Sequence, residues 1–253
     1  MPKPIKNIVL VGHDNEGSAR LFDKITSAFP EKRFLLVITH GLYYRKSFFA
    51  SVLKLLHEAS WIFVFFRFLE LVKFKLIGET LRQKAKRIRC EVIDSRDINS
   101  PATIQQISYF KPDLLISLFT MQIFEKPSLN VAKFGAITSH PSILPEYRGL
   151  EVFFWVLANN DPETGVSVFF LDEKIDAGRV FEQQIVPITP EMGVSSLYGT
   201  ITAIGGDLLV KAVRDIEADT VRFVKSDKKD SYYHMPDRTA FRRFRRTGRK
   251  FFR

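Results

Sequence analysis

IVLVG at residues 8–12, followed by HDN and then EGSARLFDKITSAF at 16–29, decides the fold. The first run is short, apolar and β-branched, and it stops at turn formers. The second places its apolar residues at helical spacing. RFLLVIT (33–39) predicts a second buried strand. Downstream, CEVID (90–94), PDLLISL (112–118) and FGAITS (134–139) are strand candidates, with a helical segment PATIQQISYF (101–110) between the first two. Strands alternating with helices imply βαβ units and a Rossmann-like, mostly parallel α/β sheet covered on both faces.

Residues 41–88 interrupt this rhythm. They are rich in Phe, and WIFVFF (61–66) is their longest unbroken apolar run. Arg67, Glu70, Lys73 and Lys75 punctuate it, so no stretch reaches the ~18–20 apolar residues of a spanning helix. The segment is expected to form a pair of helices packed on the sheet edge, closed by the basic tract RQKAKRIR (82–89). The alternative is a membrane-surface element with aromatic residues on one side and basic residues on the other.

After residue 150 the pattern changes. EVFFWVLANN (151–160) predicts a short helix, and GVSVFFLDE (165–173) and RVFEQQIVPI (179–188) predict two strands joined by a turn. Residues 192–218 predict a long helix with a break at Gly205–Gly206. The expected organisation is one α/β domain over 1–215 with the helical, Phe-rich insertion at 41–88, then a short extension, 216–253, ending in a basic aromatic tail.

Composition narrows the classes. With 253 residues, 45% hydrophobic and 26% charged, the chain has the make-up of a globular protein rather than a disordered or collagen-like one. Its single cysteine, Cys90, excludes an internal disulfide and a cysteine-rich zinc site. No metal site is expected. The amino terminus carries no signal-peptide pattern, which points to a reduced, cytoplasmic compartment. Gly12 to Gly17 spans G-H-D-N-E-G before Ser18, which matches neither the dinucleotide nor the P-loop pattern. It predicts a tight strand-to-helix turn whose helix N-terminus is open to an anion. The net charge of +10 is uneven: eight Lys or Arg and no acid lie between Arg238 and Arg253.

Two stretches carry the chemistry. In SHPSILPEYRG (139–149), His140 follows a predicted strand and directly precedes Pro141, and Pro145 stiffens the same loop. An imidazole on a stiff loop at a strand's carboxyl end sits where open α/β sheets bind ligands. In LDEKIDAGR (171–179), the carboxylates Asp172, Glu173 and Asp176 do not match a calcium loop. Asp176 has two readings there, a turn aspartate or a carboxylate that takes a proton or orients His140.

Together these stretches resemble the folate-dependent formyltransferase family, which includes glycinamide ribonucleotide, methionyl-tRNA and sugar-nucleotide formyltransferases. The matching residues are S-H-P-S-I-L-P-E-Y-R-G, then D-P-E-T-G-V-S-V-F-F-L-D-E-K-I-D-A-G-R-V-F-E-Q, with a gap of roughly 36 residues between His140 and Asp176. The resemblance covers about residues 5–215 and is strongest from Pro112 to Gln184. It implies formyl transfer from 10-formyltetrahydrofolate to a primary amine through a tetrahedral intermediate. His140 would stabilise the developing oxyanion and Asp176 would manage the proton. The family's Asn-x-His is here Thr138-Ser139-His140, so a shorter hydroxyl donor, from Thr138 or Ser139, stands in for an amide. Losing one such donor typically costs about 10²–10³ in rate.

The resemblance also places Met121 and Phe124 against the pterin, with core packing as the equal alternative. The loop from Leu171 through Asp172 and Glu173 to Ile175 would meet the pterin's polar edge, and Ser142, Arg148 and Gly149 would line the substrate side. The acceptor favoured by the short extension is an amino sugar on a nucleotide, or another cell-envelope precursor amine. Two alternatives stay open: a methionyl-tRNA formyltransferase-like enzyme, and a formyltransferase-like pseudoenzyme binding an anionic surface or RNA. An anionic membrane surface is a candidate further partner, through 41–88 and 237–253, with Phe241 and Phe244 in the tail at the interface; a solvated basic tail is the alternative, and nucleic acid is less favoured. This would place the protein peripherally at the inner face of the membrane. Tyr232-Tyr233 either stack on a base or sugar or pack on the core.

Overall fold

The computed structural model describes residues 4–40 and 48–252. The elements run β1 (Asn7–His13), α1 (Glu16–Ala28), β2 (Arg33–Thr39), α2 (Phe48–Glu58), α3 (Trp61–Ile77), α4 (Leu81–Arg87), β3 (Glu91–Ser95), α5 (Pro101–Tyr109) and β4 (Leu114–Leu118). They continue through α6 (Lys126–Leu129), β5 (Ala136–His140), β6 (Arg148–Gly149), α7 (Val152–Ala158), β7 (Glu163–Phe170), β8 (Val180–Pro187), α8 (Val194–Ala218), β9 (Tyr232–Tyr233) and α9 (Arg238–Arg246).

Seven strands form one sheet in the order β3-β2-β1-β4-β5-β7-β8. The first five are parallel, and β7 and β8 are antiparallel additions. Side chains alternate across β1, so Ile8 and Leu10 enter one core and Val9 and Val11 the other. Helices α1 and α8 cover the first face, and α5 covers the second through Ile107. Because both faces are covered, the central strands are apolar runs without alternation.

Helix α8 is continuous through Gly205–Gly206, contrary to the expected break. A Cβ on Gly205 would lie 3.1 Å from Ser139 Oγ on β5, and one on Gly206 would lie 2.9 Å from Lys24 Cγ on α1. The pair lets the helix approach both elements, and packing outweighs the ~1 kcal/mol per glycine of lost helix propensity.

The insertion also departs from expectation. Over its described residues, 48–88, it holds three helices, and α3 does not pack on the sheet edge. Only α4 does so, through the buried Leu81 and Ala85 against β2 and β3. Three of its four basic residues are paired: Lys84 with Asp23 and Glu79, Arg87 with Glu79, and Arg82 with Asp94. Helix α3 instead turns Phe63 inward, with its ring centroid 5.3 Å from that of Phe154 on α7 and 6.0 Å from that of Phe251.

The basic tail completes the same cluster. Phe241, Phe244 and Phe251 are buried in the main core, where Phe244 meets Phe154 at 5.0 Å and Phe251 stacks on Phe66 at 4.8 Å. Phe241 and Phe244 therefore do not face a membrane. Three residues apart on a helix, they share one side of α9 and leave Arg238, Arg242, Arg245 and Arg246 exposed on the other.

Candidate active site

His140 is the last residue of β5, 6% exposed, and is held at both ring nitrogens. Its Nε2 lies 2.8 Å from the Tyr147 carbonyl, which only accepts, so Nε2 carries a hydrogen. Its Nδ1 lies 3.5 Å from Asp176 Oδ1. The other carboxylate oxygen of Asp176 accepts the Gly149 N–H at 2.9 Å. Nε2 is thus engaged with the backbone, and Nδ1 is the ring nitrogen that faces the carboxylate in this dyad.

The local sequence explains the placement. The loop after Pro141 is pinned by Ser167 on β7. The Ser167 hydroxyl donates to the Ser142 carbonyl (2.6 Å) and accepts the Leu144 N–H (3.0 Å), while Gln183 donates to both Ser167 Oγ and the Leu144 carbonyl. Tyr147 is fixed by Asn159 and Asp161 at its hydroxyl, by Ser231 at its amide and by its ring on Tyr233, 4.7 Å away. Burial raises its phenol pKa, and its backbone carbonyl faces His140. Gly149 needs its glycine: its φ is +101°, and a Cβ would come 2.2 Å from the Tyr233 carbonyl oxygen. The pairing of β6 with β9 thereby fixes the amide that holds Asp176.

The other expected residues divide. Arg148 pairs with Asp230 and lies over Tyr232, and with Asp176 it lines a cleft of about 340 Å³ that also includes Leu144, Pro145 and Phe223. Gly149 borders Asp176 directly. Met121 is half-buried, and Asp172, Glu173 and Ile175 are exposed on a loop that begins where the Leu171 amide bonds the Ala136 carbonyl. Phe124 is buried in the second core with Val9, Val11 and Leu115. Ser142 is 1% exposed and donates its hydroxyl to the Glu146 carbonyl at 2.5 Å, which makes it a brace of the loop rather than a substrate contact. Thr138 donates to the Ser117 carbonyl at 3.0 Å, inside the sheet. Ser139 points to Gly205 on the opposite face from His140. Tyr233 packs on Tyr147, and Tyr232 lies over Arg148.

The first helix's N-terminus is already satisfied. Asn15 caps it by accepting the Ser18 N–H at 2.9 Å, and the Tyr198 hydroxyl sits at Gly17, where a Cβ would come within 2.1 Å of it. The expected anion opening is therefore filled by the protein's own side chains. Burial pushes the Tyr198 phenol up to about 12, partly offset by Arg67 and the Gly17 amide.

Tyr198 belongs to a polar cluster that sequence reasoning did not assemble. Arg67 of α3 pairs with Glu70 and reaches Glu151 at 3.5 Å, and Ser195 of α8 donates to Glu70 at 2.9 Å. Glu151 sits two residues past Gly149 with a left-handed φ of +54°, and its Oε2 is buried without a partner. Burial raises its pKa, with Arg67 opposing and Glu70 reinforcing the shift. His13, at the carboxyl end of β1, was also missed. Its Nδ1 lies 3.1 Å from the Thr39 carbonyl, and burial lowers its pKa.

The Glu151 shift has a stability consequence. A raised folded pKa means that the native state binds more protons than the unfolded chain between the two values, so stability falls as pH rises through that window. The stability of the natural chain relative to Glu151→Gln should be highest near about pH 4 and should decline to a plateau above the raised pKa. Urea titrations of both proteins across pH measure it. A difference flat in pH would place Glu151 in an ordinary solvated setting.

The Formyl transferase family model matches residues 71–213, a span that contains both members of the dyad. The chain belongs to the formyl transferase family. Among relatives, the methionyl-tRNA formyltransferase of Syntrophus aciditrophicus is 32% identical over 162 residues, covering 64% of this chain and 52% of that protein. This formyl transferase chain thus spans about half the length of the curated relatives it matches. Among solved structures, an N-formyltransferase from Helicobacter canadensis, in complex with folinic acid and dTDP-3-aminofucose, superposes with a TM-score of 0.61 at 19% identity, covering 95% of this chain and 72% of that one. Glycinamide ribonucleotide transformylase 1 from Symbiobacterium toebii superposes with a TM-score of 0.60 at 18% identity, covering 92% and 95%. At these identities the superpositions establish the Rossmann-like fold.

Proposed function

We propose that this chain transfers a formyl group from 10-formyltetrahydrofolate to a primary amine, with an amino sugar or a related cell-envelope precursor as acceptor. The observation that carries the reading is the dyad. Asp176 is locked by the Gly149 amide on one oxygen and faces His140 Nδ1 with the other, while Tyr147 occupies Nε2. The folate supplies an activated formyl carbon when bound. Met121 and the exposed loop Asp172–Ile175 are the residues present that suit a flat heterocycle with a polar edge.

The protein's part is proton management and charge. A protonated Nδ1 makes the ring a cation, able to stabilise negative charge developing on the formyl oxygen. Asp176 Oδ1 stabilises that cation and receives the proton lost by the attacking nitrogen, for return to the leaving nitrogen. Thr138 donates into the sheet and both His140 nitrogens face protein groups, so this reading offers the oxyanion the charge of the imidazolium rather than a free N–H. The amino-sugar acceptor draws on the Helicobacter canadensis enzyme's bound sugar nucleotide. Transfer to an aminoacyl-tRNA, the second reading, draws on the names of the sequence relatives.

Titration with 5-formyltetrahydrofolate tests the folate site. Micromolar binding is expected, and Met121→Ala should weaken it several-fold. Absence of binding at millimolar concentration would remove the enzyme reading and favour the pseudoenzyme.

A further inference from the structure

Helix α3 is apolar on both sides. Its inner side carries Phe63, Phe74 and the Arg67 that reaches Glu151, while its outer side exposes Trp61, Phe65, Phe68, Leu69 and Leu76. These recur at helical spacing along one stripe. Helix α2 shows a second stripe, Phe49, Leu53 and Leu56, also exposed. Trp61 at the start of α3 is 64% exposed and Leu76 near its end 78%, so the apolar stripe runs the length of the helix, and contiguous exposed apolar surface of this kind marks interaction sites.

This apolar surface adjoins the arginine-bearing helix. The Ser60 amide donates to the Pro236 carbonyl at 2.9 Å, which sets Trp61 beside the start of α9. Phe66 stacks on Phe251 and meets the exposed Phe252 edge-on at 5.5 Å. Arg238, Arg242, Arg245 and Arg246 are exposed on α9, and no acidic residue follows Asp237. Arg82, Lys84 and Arg87 of α4 differ in this respect, being bound to Asp94, Asp23 and Glu79.

We propose that the outer faces of α2 and α3, with the arginines of α9, dock on an anionic lipid bilayer. Aromatic and leucine side chains beside unneutralised arginines match both layers of such a surface, the acyl boundary and the anionic headgroups. A second copy of the chain fits less well, because two-fold pairing across this face would set arginine near arginine. Among the described residues no helix is long and apolar enough to cross a membrane. The surface is independent of formyl transfer and does not require it.

The test is flotation of the full chain with vesicles of phosphatidylcholine alone and of three parts phosphatidylcholine to one part phosphatidylglycerol. Binding to the anionic vesicles should exceed binding to neutral ones by about tenfold or more at low salt and should partly survive high salt. The triple variant Trp61→Ser, Phe65→Ser, Phe68→Ser should lose the salt-resistant part. Arg238→Gln, Arg242→Gln, Arg245→Gln should lose the preference for anionic vesicles. Circular dichroism and melting of both variants check that they remain folded. Failure to float with anionic vesicles at low salt would overturn the proposal, whether the chain then proves to self-associate through this face or to bind tRNA through the arginines. Binding that neither variant alters would overturn it equally.

Discussion

Asp176→Asn should lower the turnover of formyl transfer by about 10²–10⁴-fold, the usual contribution of a positioned acid–base group. The substitution is chosen for what it preserves. The amide oxygen of Asn can still accept the Gly149 N–H, now at 2.9 Å, so the β6–β9 frame is kept. It removes the negative charge 3.5 Å from His140 Nδ1 and with it the site that receives the proton. The loss should therefore fall on kcat while 5-formyltetrahydrofolate binding changes little. A variant with near-normal turnover would return Asp176 to the role of a turn aspartate.

Phe154→Ala should destabilise the fold by about 3–5 kcal/mol, the range for truncating a buried Phe. Phe154 is fully buried on α7, and its ring meets Phe63 of α3 at 5.3 Å and Phe244 of α9 at 5.0 Å. One substitution thus opens a cavity where insertion, main domain and carboxyl-terminal helix converge. Urea denaturation followed by tryptophan fluorescence measures it. A loss below about 1 kcal/mol would mean that α3 and α9 do not pack on α7 as described.

The sheet was legible because its cause is local. IVLVG, RFLLVIT and PDLLISL are continuous apolar runs, and strands buried on both faces need nothing else to announce them. His140 and Asp176 were legible as candidates through flanking Pro and Gly, and the structure brings them together. The misreadings came where partners lie far along the chain. Phe241 and Phe244 of α9 read as membrane-facing until Phe66 and Phe154 are seen to cover them. Gly205–Gly206 reads as a break until β5 and α1 are found pressed against it. Phe124 and Ser142 sit inside segments that carry the resemblance, but burial is a tertiary property, and both belong to the scaffold. Arg67 and Glu151 were invisible as a pair because 84 positions separate them and neither falls in a spaced motif.

The most direct measurement combines the full chain, 10-formyltetrahydrofolate and a panel of primary amines, with nucleotide-linked amino sugars and aminoacylated tRNA among them. Tetrahydrofolate release is followed together with the mass of the acceptor. Release coupled to a one-formyl mass gain on an amino sugar, and abolished by His140→Ala, is the predicted result. A folate left intact with every amine, or release unchanged by His140→Ala, would contradict the assignment of this dyad to formyl transfer.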